Sequence, residues 1–335
     1  MIGPKDSIKH IRSSAQLAAV LEVSGWPKPG NVHRTIDHSD ARYEHFLAGA
    51  VVLGSSIEAA AKKGMTVAKG GLNVSRIGIG RLVKQAVSDI SESHRGGNTH
   101  LGVCLLFVPL AASAAKAYGE TGGISPSVLR GNVKEVMRTT TPQDAVAVYE
   151  AITLVSTPHE LGRLSGRLAP DLYDKRAAKR ILEEGLSLFD IMANASSYDT
   201  IARELATGME LSFSLGYEAL IETFNRTGDI NTATVHTFLR ILSEVPDTFI
   251  ARKVGLKKVN DIDKAVEIGI TDTKWISETA EQVLSLGGLT TAKGTSALWG
   301  FDRKLQSLGK DYSPGTTADL TAAALMIALL CGLKF

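Results

Sequence analysis

The chain has 335 residues, and 37 Lys+Arg against 35 Asp+Glu leave a formal charge of +2, too near neutral for a protein whose main partner is a nucleic acid. Hydrophobic residues at 44% and charged residues at 21% exclude a chain disordered throughout and supply ample material for a core. Length alone suggests about two domains, but no Pro- or Ser-rich linker and no fixed-period repeat divides the chain, so one domain over residues 1–335 is expected.

The hydrophobic period is helical almost throughout. Ile8, Ile11, Ala15, Ala18 and Leu21 form one stripe behind Ser7 as a cap, stopped by Gly25, Pro27 and Pro29. A second stripe runs from Tyr43 and Phe46 to Ala61 and is expected to end at Lys62-Lys63-Gly64, a cationic last turn before a glycine. The Gly-rich piece Lys69 to Gly80 reads as a loop, as does Gly119 to Ser125. Ser125-Pro126 and Thr141-Pro142 each place proline at a first helical position, where its missing N–H costs nothing. Further stripes are Ile181, Leu182, Leu186, Phe189; then Ile201, Leu205, Met209, Phe213; then Val235, Phe238, Leu239, Leu242; and last Leu298, Phe301, Leu305, Leu308. No convincing alternating run of β-branched or aromatic residues is present, so the expected class is all-α. High glycine (32) and low aromatic content (6%) favour close packing of small residues.

Cys104 and Cys331 lie in apolar runs and read as small buried hydrophobes of a reducing cytosol, with neither a disulfide framework nor metal-site spacing. Lys5, Asp6, Lys9, His10 and Arg12 leave no apolar region for a secretory signal, and a cytoplasmic protein is expected. The longest uncharged stretches, Leu101 to Ala115 and Leu320 to Leu333, fall short of the roughly 20 residues of a membrane span and read as core helices. Such small-residue helices pack as readily across a homo-oligomer as within one protomer.

In a helical protein the first-turn N–H groups lack partners and, with the helix dipole, favour phosphate. Three junctions have that character. The first is Trp26-Pro27-Lys28-Pro29-Gly30-Asn31-Val32-His33-Arg34, continuing through His38 and Asp40. The second is His94-Arg95-Gly96-Gly97-Asn98-Thr99-His100, directly before an apolar run. The third is Ser313-Pro314-Gly315-Thr316-Thr317-Ala318-Asp319, opening the last apolar helix. Capping accounts for each taken singly: Asp40 as a cap, Asn98 or Thr99 as a cap, Thr316 and Asp319 as a capping box. It does not account for cationic, acidic and glycine residues recurring at all of them. His159-Glu160-Leu161-Gly162-Arg163 lacks the second histidine of a zinc-protease helix and reads as a surface turn, and neither a P-loop nor a strand before Gly78-Ile79-Gly80 is present.

Side by side, these junctions resemble the triphosphoribosyl-dephospho-CoA synthase family. The matching words are Pro27-Lys28-Pro29-Gly30 with His38-x-Asp40, Gly97-Asn98-Thr99-His100-x-Gly102, Pro246-Asp247-Thr248 with Arg252, and Ser313-Pro314-Gly315-x-x-Ala318-Asp319-Leu320. Residues from about Gly119 to Arg240 match poorly, and Asn31-Val32-His33-Arg34 stands where citrate-lyase-associated members have Leu-Val-Asp-Arg, which marks a divergent member. The resemblance implies an all-helical enzyme that uses ATP and 3′-dephospho-CoA, releases adenine and joins the triphosphoribosyl group to the acceptor's ribose 2′-hydroxyl. A nucleotide-dependent transferase acting on another cofactor precursor and a helical scaffold remain as alternatives.

Residue types then suggest roles. His100 and Asp247 are the catalytic candidates, His100 for proton transfer. Asp40 and Asp319 would hold Mg2+ on the triphosphate. Lys28, Arg34, Asn98, Thr99, Arg252, Ser313 and the N–H groups near Gly30 and Gly315 would bind nucleotide and phosphate.

Overall fold

A computed structural model describes residues 4–164 and 168–335. Helix α1 (Pro4–Ser24) buries Ile11, Ala15, Ala18 and Ala19 along one stripe. It starts ahead of Ser7, which is therefore an interior helical residue and not the expected cap; Pro4 opens the helix instead, in the first turn where proline is tolerated.

The expected second stripe is two helices, α2 (Tyr43–Val52) and α3 (Gly54–Ala68), separated at Leu53. Helix α3 does not end at Gly64. A Cβ at Gly64 would sit 1.9 Å from the carbonyl oxygen of Ala112, so this glycine marks a helix crossing. After a 3-10 turn at Val74–Arg76 comes α4 (Ile79–Ser93), strongly amphipathic, with Leu82, Val83, Ala86, Val87 and Ile90 buried.

The centre of the molecule is the 21-residue helix α5 (Leu101–Thr121), in which every residue from Val103 to Ala117 is buried. It is longer than its uncharged stretch because Lys116 remains helical, its ammonium held by Glu120, Glu135 and Asn132. Helix α5 is thus long and apolar enough to cross a membrane, contrary to the length read from sequence, but 83% of its apolar window is buried inside the protein, as in a core helix.

Helices α6 (Pro126–Arg138) and α7 (Pro142–Val155) begin at the expected prolines, α7 with a Thr141–Asp144 capping box. The one-turn α8 (Pro158–Leu161) is capped by Glu160, whose carboxylate accepts from the Thr157 N–H at 2.9 Å. The stripe from Ile181 to Phe189 divides into α9 (Ala177–Glu184) and α10 (Leu188–Ala195). Helix α11 (Thr200–Thr207) gives way to a π-helical turn at Ser212–Gly216, where Glu204 accepts the N–H groups of Leu211 and Ser212, each at 2.8 Å. Then follow α12 (Tyr217–Thr227), α13 (Ile230–Glu244), α14 (Thr248–Leu256), α15 (Ile262–Ser285), α16 (Ala292–Leu308) and α17 (Gly315–Leu330). Among the described residues there is no strand, only the isolated bridges His33–Ile36 and Arg163–Asp261, and the fold is all-α.

A large apolar cluster gathers around α1, α3, α4, α5 and the body of α17, and a second one forms between α13, α14, α15 and α16. Helix α17 joins them, with Leu320 onward in the first and Ala318 in the second. Because α17 packs on α1, α5 and α14, its N-terminus is brought to the start of α5 and to the loop that follows α1.

Candidate active site

The three junctions meet. The side-chain amide of Asn31 donates to the carbonyl of Pro314 at 3.1 Å, joining the first to the third. The Gly97 N–H donates to the carbonyl oxygen of Asp40 at 3.1 Å, joining the second to the first. Gly102 joins the second to the third: a Cβ there would lie 2.0 Å from Oδ2 of Asp319, so the carboxyl occupies the space a side chain would fill. Around this convergence lies a cavity of about 690 Å³, lined by Glu22, Asp40, Asn98, Thr99, His100, Arg252, Ser313, Gly315 and Asp319, among others.

Asn98 caps α5, its Oδ1 accepting the Leu101 N–H at 3.1 Å, and Asp319 accepts another first-turn N–H of α5, that of Val103; Asp40 is not the cap of α2. Asp37, not Asp40, accepts the Tyr43 N–H that opens α2, while Asp40 Oδ2 pairs with Lys310 Nζ at 2.7 Å, which holds its carboxyl below the usual range. Asp319 lies in the second turn of α17, half-buried in the cavity wall, where its carboxyl accepts that Val103 N–H. Burial, reinforced by the negative charges of Glu22, Asp247 and Asp199, pushes its pKa well above that of an ordinary carboxylic acid.

Behind it, Lys28 is fully buried and its ammonium bonds both the carboxylate and, at 3.0 Å, the carbonyl of Glu22. Burial lowers the lysine's pKa and raises the glutamate's, and their contact offsets part of both shifts. Lys28 therefore reaches the cavity through Glu22 and does not itself line it.

His100 is buried at the head of α5, its Nδ1 2.8 Å from Thr99 Oγ1, which in turn lies 3.2 Å from His94 Nε2. Burial first, and then the nearby His94, lower the His100 pKa to about 3, so the ring is uncharged at neutral pH. In an unfolded chain the same imidazole titrates near 6.5. Between those values the unfolded chain binds a proton that the folded chain does not, so stability is full above pH 6.5 and is lost as pH falls. His236, lowered to about 4 mainly by burial, acts in the same direction. The carboxyls whose pKa values are raised act the other way, so the difference between variant and parent isolates the histidine: between pH 7.5 and pH 5, His100→Gln should lose about 1–2 kcal/mol less stability than the parent in denaturant unfolding. A variant whose pH dependence matches the parent's would contradict this account.

The structure leaves other sequence candidates outside the cavity. Arg34 is exposed and donates to the Ser24 carbonyl at 2.9 Å and to Asn231 at 3.1 Å, on the outer side of its loop. The Gly30 N–H is already taken by Asp302 Oδ1 at 3.0 Å. Asp247 is buried with both oxygens engaged, Oδ1 by the Phe249 and Ile250 N–H groups at 3.0 Å and Oδ2 by the N–H and hydroxyl of Thr317 at 2.8 Å. It ties the start of α14 to the start of α17 and is a positioning residue. Gly315 lines the cavity, but its open side faces the Phe249 ring, 3.2 Å from a would-be Cβ.

Other cavity residues escaped the sequence reading. Lys253 follows Arg252 on α14, its Nζ 4.1 Å from the centroid of the Phe249 ring, with a pKa lowered mainly by burial. Lys310 and the Lys257–Asp311 pair, at 2.7 Å, complete a charged side of the lining. Arg252 is buried, with Asp199 3.5 Å from one terminal nitrogen and its Nε without a partner. The segment Glu160 to Arg163, expected to be a surface turn, also lines the cavity, because Gly162 packs against Leu256 at the end of α14. So do residues of α7, α10 and α11.

A family model described as CitG, ATP:dephospho-CoA triphosphoribosyl transferase, matches residues 8–334. The chain belongs to this family. It is a transferase that joins the triphosphoribosyl group of ATP to dephospho-CoA, with release of adenine. A solved structure from Archaeoglobus fulgidus, described as a triphosphoribosyl-dephospho-CoA synthase, has a TM-score of 0.53 and 24% identity, covering 84% of this chain and 99% of its own; that likeness shows the fold. No curated protein sequence matches the transferase. Neither finding supports a different acceptor.

Proposed function

We propose that the transferase binds ATP and dephospho-CoA in the cavity where its three junctions meet, with the reacting ribose between His100 and Asp319. The observation that carries this reading is the cavity itself. Asn98, Ser313 and Asp319, distant along the chain, line it together, and among the described residues no lysine or arginine forms an ion pair with the Asp319 carboxyl.

Each role follows from what the reaction demands. Substitution at the anomeric carbon develops positive charge on the sugar, and the triphosphate must be held still. Lys253, Lys310 and Arg252 provide cations for the phosphates, and Asn98, Thr99 and Ser313 hydrogen-bonding groups for ribose or phosphate. His100 is uncharged at neutral pH, and with Nδ1 beside Thr99 its Nε2 would hydrogen-bond the attacking hydroxyl, whose proton passes on to the departing adenine so that it leaves as a neutral base. Lys28 and Asp247 act from behind, by holding Glu22 and the start of α17.

Magnesium is tested by the donors present. Among the described residues no three His, Cys, Asp or Glu side chains are grouped to hold a metal. Magnesium on a triphosphate needs only one or two carboxylates, with phosphate oxygens and water completing its shell. Asp319 fits this role, since the surrounding negative charges that disfavour its ionisation would be offset by a cation. Asp40 fits once Lys310 turns to phosphate, since that lysine now holds its Oδ2. When bound, the ion would neutralise triphosphate charge. We also propose a single domain, since α17 contributes to both apolar clusters.

The test is mass spectrometry of the purified protein incubated with magnesium-ATP and dephospho-CoA. Free adenine and a triphosphoribosylated product should appear together, and only when both substrates are present; no adenine under these conditions refutes the reading. Lys253→Met should raise the KM for ATP about tenfold, the size expected for losing one charge-assisted phosphate contact, and Lys253→Arg should restore most of it. An unchanged KM in Lys253→Met would remove this lysine from the phosphate site.

A further inference from the structure

The charged residues account for only part of the cavity lining. A separate stretch is apolar and comes from α7, α10 and α11, where Ile152, Ile191, Met192, Ala195 and Ala202 face the same space. Ile191, Met192 and Ala202 are buried, and alanines at two of these positions leave room that larger side chains would close. No ionisable side chain stands among these five. Polar groups border them in the lining: Asp199, whose Oδ1 accepts the Ala202 N–H at 2.9 Å and whose Oδ2 lies 3.5 Å from Arg252; Tyr149, whose hydroxyl donates to the Pro170 carbonyl at 2.9 Å; and Ser156, whose carbonyl accepts from Tyr173 at 3.1 Å.

This lobe does not suit a triphosphate, whose charged oxygens would lose water against apolar side chains and meet the carboxylate of Asp199. The acceptor, however, carries a long uncharged arm of methylene groups and two amides, ending in a thiol. We propose that the apolar lobe seats this pantetheine arm and so selects dephospho-CoA over other adenine nucleotides. The inference rests on the reading of the cavity above and adds which part of it recognises the acceptor. A flexible uncharged arm is recognised by shape and apolar area, which many sequences satisfy, whereas a phosphate needs particular charged or glycine residues at fixed positions.

Calorimetric titration of the wild-type protein with pantetheine alone tests the lobe without relying on turnover. Saturable heat is expected from the wild type, and Ala195→Phe, which fills the lobe, should weaken that binding about tenfold or more. In kinetics, pantetheine should compete with dephospho-CoA and not with ATP. ADP, which has the acceptor's diphosphate and ribose hydroxyls but no arm, should be a poorer acceptor whose KM Ala195→Phe does not change. Wild-type protein that binds no pantetheine overturns the inference, as does competition with ATP, which would place ATP's own purine in the lobe. If Ala195→Phe does not fold, the wild-type titration and inhibition pattern decide alone. Absence of adenine release from the wild type would instead refute the reading of the cavity, and the titration would still decide whether the lobe accepts the arm.

Discussion

Asp319→Asn is expected to lower turnover by about 10²–10³-fold while leaving the melting temperature unchanged or higher. The two effects diverge because of where the carboxyl lies. It is half-buried in the cavity wall, packed over Gly102 at the head of α5 and faced by the charges of Glu22, Asp247 and Asp199. A carboxyl whose folded pKa is raised binds its proton more tightly in the folded chain, so its favourable contribution is present at low pH and is lost as pH rises through that pKa. Near neutrality its ionisation opposes folding, and asparagine, similar in shape and unable to ionise, removes that opposition. The stability gained by the variant should therefore grow with pH. Full turnover in Asp319→Asn would show that the reaction does not use this acid; lost turnover together with a lower melting temperature would show that the residue is structural.

A large effect on stability is expected at the crossing of α3 and α5. Gly64→Ala places a methyl group 1.9 Å from the Ala112 carbonyl oxygen, and neither partner can yield easily, since both belong to helix backbones in the core. A loss of about 3 kcal/mol or more is expected, at the upper end of overpacking effects. Gly131→Ala is the control. That position is exposed on α6 with nothing near the added methyl, and the gain in helix propensity should stabilise by about 0.5–1 kcal/mol. Thermal melts of the two variants moving in the same direction would refute the assignment of Gly64 to a crossing.

The contrast at Gly64 shows how far local pattern reaches. Lys62-Lys63-Gly64 has the composition of a helix end, and the local rule is sound, yet α3 continues to Ala68 because the glycine is needed for contact with a helix distant in sequence. Ser7 is a similar case, a good cap residue passed over because the helix begins earlier, at Pro4. The stripe through Ile201, Leu205, Met209 and Phe213 holds its apolar face, but the backbone along it breaks at Gly208 and Met209, both with positive φ, and re-forms as a π-helical turn anchored by Glu204. Periodicity reports which residues are buried and is silent on a helix interrupted without a change of face.

The candidate site divides in the same way. Asn98, His100, Ser313 and Asp319 were legible because each stands beside an otherwise apolar helix start, a pattern visible within a few residues. Lys253 and Lys310 were not, since an isolated lysine on a helix or turn looks like any solvated one until the tertiary structure closes a cavity over it. Arg34 and Gly30 read as well as the others from sequence, but one points outward and the other has its N–H taken by Asp302.

For this transferase, residue order alone determined the helical class, most stripes that build the core, and the helix starts able to face phosphate, because each depends on neighbours within a turn or two. Only the folded chain decided which of those starts meet, which acid faces the cavity without an ion pair among the described residues, and which apolar wall shares their cavity. Those outcomes depend on helices approaching at Gly64 and Gly102, where the absence of a side chain allows contacts between residues far apart in sequence.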